Sequence, residues 1–199
     1  PASTDQLVRP QITGKSDGPL FTVRYTEGAA VGYKWFDLKG HKPLYAFGHG
    51  LSYTRFELGS LQASQAKAQV TVQFSVKNAG SRAGASVGQV YIRAPQSARW
   101  EAPRRLIGFD KLTLKPGETG TRTVKIDPRL LATFDESTGH WVIAPGAYEV
   151  QLGAGSDDIR ATTQLSLAAR RFTSAQARRE PIGSVELEDT QHPLSRWRE

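Results

Sequence analysis

The hydrophobic positions of this 199-residue chain change texture twice. From about Leu61 to Leu167 they fall in short runs that alternate with polar residues. The clearest is "AQVTVQFSVKN", with Val70, Val72, Phe74 and Val76 on one side and Thr71, Gln73, Ser75 and Lys77 on the other. A period of two predicts a strand with one buried and one wetted face. "NAGSRAG" follows, and its Asn78, Gly80 and Gly84 allow the positive φ of a turn. "SVGQVYIRA" places Val90 and Ile92 on one side, and "RLIGFDKLTL" is broken at Gly108, which predicts a bulge or bend. "KPGE" at 115–118 reads as a turn before "TRTVKI" resumes with Val124 and Ile126. "DPRLLATFD" predicts one helical turn, with Asp127 as cap and Pro128 first. "HWVI", "APG" and "AYEVQLGA" read as a hairpin with Tyr148, Val150 and Leu152 inward, and "RATTQLSLA" closes the set.

About seven such strands over residues 61–167 predict a β-sandwich. No Cys–Trp–Cys core is present, so a fibronectin type III-like (immunoglobulin-like) sandwich fits better than an antibody-like one. Residues 1–60 differ. "FTVRY" (Phe21, Val23, Tyr25) predicts a short strand, but the remainder is rich in Gly and aromatics without a sustained helical period. Too few apolar positions occur there for an independent core, so Tyr25, Tyr33, Trp35, Phe36, Tyr45, Phe47, Tyr53 and Phe56 must pack on the sandwich or complete another domain. Residues 168–199 form a polar tail with a short helix expected over "TSAQARRE".

Composition narrows the chemistry. With 38% apolar and 23% charged residues the chain reads as globular, and no apolar run approaches the roughly 18 residues of a membrane span. The net charge of +7 is dispersed: 7 basic and 5 acidic residues in 1–59, 13 and 9 in 60–166, 6 and 5 in 167–199. The densest cluster, "RAPQSARWEAPRR", is interrupted by Glu101 and reads as a solvated loop rather than a phosphate track, so no nucleic-acid partner is expected. Cysteine and methionine are both absent, and a chain opening at Pro1 is expected to be a piece of something longer.

Metal and nucleophile motifs are wanting. The histidines at 41, 49, 140 and 192 have no ligand spacing, and no metal or cofactor is expected. His49, in "FGHGL", is expected to make a structural hydrogen bond to backbone. "GHGLS" puts Ser52 on the wrong side of its glycines for a nucleophile elbow, and "GAGSDD" lacks a P-loop Lys and reads as a solvated turn holding Asp157 and Asp158. Glu27 and Asp37 are the only carboxylates within the aromatic-rich stretch that could form a glycosidase pair, and capping or exposed roles are commoner for such acids.

Two stretches carry a family likeness. "YTEGAAVGYKWFD" at 25–37, followed by "KPLYAFGHGLSYTRFELGSL", resembles the segment where glycoside hydrolase family 3 enzymes finish their second domain and enter a fibronectin type III-like one. The matching residues are Tyr25, Glu27, Gly28, Val31, Gly32, Tyr33, Lys34, Pro43, Leu44, Phe47, Gly48, Gly50, Leu51, Ser52, Tyr53, Thr54 and Phe56. "VKNAGSRAGASVGQVYIRAP", "PRRLIGFDKLTLKPGET" and "PGAYEVQLGAGSDDIR" continue it, so the likeness spans about residues 20 to 167. The resemblance implies a mainly β chain: a fibronectin type III-like sandwich at 61–167, preceded by a segment completing an α/β sandwich domain at 1–60 and followed by a tail at 168–199. It implies a retaining enzyme whose Asp nucleophile sits on a barrel and whose Glu acid/base sits on the second domain, both upstream of Tyr25. No catalytic residue therefore carries over to this chain.

The expected function is the C-terminal portion of a family 3 glycosidase, with β-glucosidase first and β-xylosidase or exo-glucanase behind it. Its partners would be a larger N-terminal chain or portion bearing both catalytic groups, and a small β-linked glucoside. Family habit implies a periplasmic or secreted setting. "YTEGAAVGYKWFD" is expected to supply a strand to the second domain, with Gly48 and Gly50 allowing close packing at the bridge. Trp35, Tyr45 and His49 are candidates for the rim of a sugar pocket, against interdomain packing as the plainer role. The alternative is a stand-alone β-sandwich binding or adhesion module, whose residues 1–60 would bury their aromatics on their own sandwich. A sugar-binding module would need an exposed aromatic platform, which the sandwich's aromatics do not suggest in sequence.

Overall fold

The computed structural model describes residues 26–173. The strand "FTVRY" and the helix expected in the tail from Ser174 onward lie outside these residues. A short helix α1 (Tyr33–Lys39) precedes ten strands: β1 (Phe56–Ala66), β2 (Gln69–Asn78), β3 (Gly84–Arg93), β4 (Arg105–Leu114), β5 (Thr119–Ile126), β6 (Thr133–Asp135), β7 (His140–Ile143), β8 (Gly146–Gly155), β9 (Asp158–Leu167) and β10 (Arg170–Phe172). Seven of them build the two main sheets, ordered β1-β2-β5 and β4-β3-β8-β9, with antiparallel neighbours throughout. A third, small sheet is ordered β10-β7-β6. The mainly β, sandwich expectation is thus met.

The core sits where the alternation put it. Val70, Val72, Phe74 and Val76 of β2 face Val90 and Ile92 of β3 and Tyr148, Val150 and Leu152 of β8, all buried. Each such side chain removed from water contributes about 1.5–3 kcal/mol. The expected bulge is present: pairing slips between Val90 and Tyr91, whose partners are Gly108 and Leu106. Pro128–Leu131 forms the expected turn, of 3-10 type, and the Asp127 carboxylate accepts from the Arg129 N–H at 2.9 Å. Gly117 takes φ +76° in the "KPGE" turn.

Three local expectations are corrected, and one strand is added. Residues 33–39 form a helix where a strand was expected. Gly40, at φ +63°, ends it in the left-handed region, and the His41 N–H returns to the Phe36 carbonyl at 2.9 Å. Seven residues are too few to display a period. "HWVI" and "AYEV" are not hairpin partners: β7 pairs with β6 and β10, while β8 pairs with β3 and β9. Pro145 offers no N–H to a ladder, and the chain changes sheet there. The true hairpin is β6–β7, its turn held by the Asp135 carboxylate accepting from the Ser137 N–H and the Ser137 and Thr138 hydroxyls.

Gly80 and Gly84 do not adopt positive φ. They are small because a Cβ on Gly80 would lie 2.2 Å from Thr54 Oγ1, and one on Gly84 2.9 Å from Thr54 Cγ2. Finally, β1 is a strand that alternation conceals. Ser60 at φ +49° and a register shift between Gly59 and Gln62 turn the half-buried face from Phe56 and Leu58 to Leu61 and Ala63.

Candidate functional site

The outer face of the four-stranded sheet is not wet. Gln89 and Tyr91 of β3 and Gln151 of β8 are buried there alongside Arg104. The segment 33–48 covers them. Tyr33 sets its ring edge-on to Tyr91 at 5.6 Å and beside Phe47 at 5.7 Å, and its hydroxyl accepts from the Leu106 N–H at 2.6 Å. Burial pushes the hydroxyls of Tyr33 and Tyr91 above the usual phenol range. Gly48 lies so near the sheet that a Cβ would stand 2.0 Å from Gln89 Nε2, which bears out the close packing expected at this glycine. A Cβ on Gly50 would meet open space, so no close approach explains it.

Charges pin this cover at two points. The Arg104 guanidinium stacks on the Tyr91 ring at 5.0 Å and grips Asp37 through Nε at 2.6 Å and Nη2 at 3.0 Å. It also donates to the Ser156 carbonyl, while the Ser156 N–H donates to the Phe47 carbonyl at 2.8 Å. One turn away, Lys34 Nζ reaches Glu101 at 2.7 Å, and the same carboxylate accepts from Arg105 Nε at 3.1 Å. Burial raises the Glu101 pKa, but the bonds from Arg105 and Lys34 outweigh it and hold the group at about 2.

The loop "RAPQSARWEAPRR", expected to be solvated, is therefore half of a clamp. The "GAGSDD" turn is likewise fastened through Ser156, although Asp157 is exposed. Asp37 is committed to Arg104, which removes it from any free pair with Glu27.

The three rim candidates part company. Tyr45 and His49 come together, with ring centroids 5.1 Å apart and both side chains exposed. The expected imidazole bond from His49 to backbone is not made: its main-chain N–H donates to the Ala46 carbonyl at 2.9 Å, and its side chain is exposed. Trp35 makes no ring contact with them and instead lies under Lys39 Nζ at 4.7 Å. Tyr45, but neither Trp35 nor His49, lines a groove of about 390 Å3 between α1, the 41–47 loop and the Arg104–Ser156 anchor. Among the described residues no cluster of three or more His, Asp or Glu could hold a metal, and no helix is long and apolar enough to cross a membrane.

Beyond the clamp the bridge is bare. Leu44 is 91% exposed, Tyr45 70%, Leu51 95% and Tyr53 93%. Such clustering on one segment marks an interaction surface. A stand-alone module would bury these residues, and of the first aromatics Tyr33 and Phe56 are seated on the sandwich.

A fibronectin type III-like domain model matches residues 86–156. A β-glucosidase of Rhizobium radiobacter is 43% identical over 162 residues, covering 79% of this chain and 19% of its own length. The thermostable β-glucosidase B of Acetivibrio thermocellus is 36% identical over 69% of the chain and 19% of itself. Among solved structures, β-glucosidase 3B of Thermotoga neapolitana superposes with a TM-score of 0.70 at 40% identity, covering 75% of this chain and 21% of that one. A GH3 β-glucosidase of Bifidobacterium adolescentis gives 0.68 at 32% identity, covering 72% and 21%. The chain thus spans about a fifth of the length of the relatives it matches. Common sequence and common architecture identify the chain as the counterpart of the part of glycoside hydrolase family 3 enzymes that carries the fibronectin type III-like domain.

Proposed function

We propose that this chain is the C-terminal, non-catalytic portion of a retaining β-glucosidase and that it works by docking on the polypeptide that precedes it. That upstream portion supplies the barrel nucleophile and the acid/base, and its substrate is a small β-linked glucoside attacked from the non-reducing end. Residues 1–60 end the α/β sandwich domain and link it to the sandwich at 61–167, with 168–199 as a tail. The resemblance supports a periplasmic or secreted setting.

The observation carrying this reading is the exposed row Leu44, Tyr45, Leu51 and Tyr53 on a chain one-fifth as long as its relatives. Side chains of this size left in water each forgo about 1.5–3 kcal/mol, which a covering surface recovers. Tyr45 and His49 stand where this bridge meets that surface, and with Trp35 they are the proposed rim of the sugar pocket.

The test is association. Mixed with the polypeptide encoded ahead of Pro1, the chain should migrate as a complex, and joint L44E and Y53E substitution should weaken it about thirtyfold or more while leaving the sandwich folded. A free 21.8 kDa monomer in native mass spectra of that mixture would overturn the proposal.

A further inference from the structure

Helix α1 buries none of its seven side chains completely and has no side-chain cap at its start. A helix this short has little stability of its own. What fixes it is Tyr33 and two ion pairs, Lys34 with Glu101 and Asp37 with Arg104, each joining residues 67 apart in sequence. Glu101 is the shared point. Its other partner, Arg105, stacks on Trp100 at 4.2 Å and donates to the Leu130 and Ala132 carbonyls at 3.0 and 2.7 Å. One carboxylate thus ties a marginal helix to the rigid body of the sandwich.

We propose that α1 and the following bridge form an acid-released strap: neutralising Glu101 frees them from the outer face of the four-stranded sheet while the sandwich stays folded. The charged and titratable groups of the strap are Tyr33, Lys34, Asp37 and Lys39 on α1 and His41, Lys42, Tyr45 and His49 on the bridge, and those around it are Glu101, Arg104 and Arg105 beneath it, Tyr91 on β3 and Asp157 on the β8–β9 turn. The direction follows from linkage. Glu101 is held at about 2 against an ordinary 4.5, so its contribution is complete above about pH 4.5 and is lost as pH falls toward 2. Opening would detach the row 44–53 from its support, so the strap sets the pH range over which the docking surface is presented.

The test is amide hydrogen exchange on the whole 199-residue chain. In E101Q at pH 7, residues 33–40 should exchange about tenfold faster or more, with β2 and β8 changed less than about twofold. K34Q leaves the Glu101–Arg105 pair intact and should give the same local effect, which guards against an E101Q chain that fails to fold. In the unaltered chain the same local opening should appear between pH 4.5 and 3, and E101Q should lack that pH dependence. Unchanged exchange at 33–40 in K34Q, opening in step with β2, or acid release that persists in E101Q would each overturn the strap.

Discussion

Asn78→Ala should lower the unfolding free energy by about 3 kcal/mol, with a lower urea midpoint and an unchanged slope. Asn78 is the chain's single asparagine and is completely buried at the end of β2. Its Nδ2 donates to the Leu114 carbonyl at 3.0 Å and the Arg82 carbonyl at 2.7 Å. Its Oδ1 accepts from the Gly80 N–H at 3.1 Å and the Thr54 hydroxyl at 2.7 Å. Its main chain is equally occupied, by the Glu118 carbonyl and the Gly117 N–H, each at 2.9 Å. One amide therefore joins the segment before β1, the β2–β3 turn and the end of β4. Alanine would strand these partners, and a buried unpaired group costs about 1–3 kcal/mol. Asn78→Asp should cost no less, because the acid keeps the shape and loses both donors. A loss below about 1 kcal/mol would contradict this reading of the site.

Gly88→Ala should cost about 2–3 kcal/mol for a different reason. Gly88 lies on the inner face of β3, and a Cβ there would stand 2.3 Å from Cε2 and 2.7 Å from Cζ of Phe74. That ring is fully buried in the opposing sheet and has nowhere to move. The two sheets approach over this pair, so the penalty belongs to the ring. In a Phe74→Leu background the Gly88→Ala penalty should shrink, giving a coupling of about 1 kcal/mol or more in thermal unfolding. Strictly additive losses would show that the glycine is needed for another reason.

Much of the sandwich is legible in the chain itself. Where one face of a strand is buried and the other wet, as along Val70–Val76, side-chain polarity reports the pleat directly. It fails where the pleat slips: the bulge at Ser60 hides β1 by moving its apolar residues from even to odd positions. It fails again where both faces are covered, since Tyr91 is as buried as Val90 and Gln89 is buried beside it. The clamp was the harder case. Lys34 and Asp37 are spaced like Glu101 and Arg104, with opposite signs in register, and that matched spacing is the signal in the sequence. Interleaved arginines nevertheless read as solvated until a fold brings the two segments together.

The first aromatics proved divided. Tyr33 is packed on the chain's own sandwich, which loosens the idea that residues 1–60 belong wholly to another domain. Leu44, Tyr45, Leu51 and Tyr53 remain in solvent, the exposure on which the proposed covering body rests. Both follow from one arrangement: α1 and residues 46–48 lie against the sandwich, while Leu44, Tyr45, Leu51 and Tyr53 point away from it.

Hydrolysis of an aryl β-glucoside tests the central claim most directly. The isolated chain should show no turnover above buffer, the polypeptide encoded ahead of Pro1 should be weak or unstable alone, and mixing the two should restore activity in proportion to complex formed. Turnover by this chain alone, or full activity of the upstream polypeptide regardless of its presence, would contradict the account.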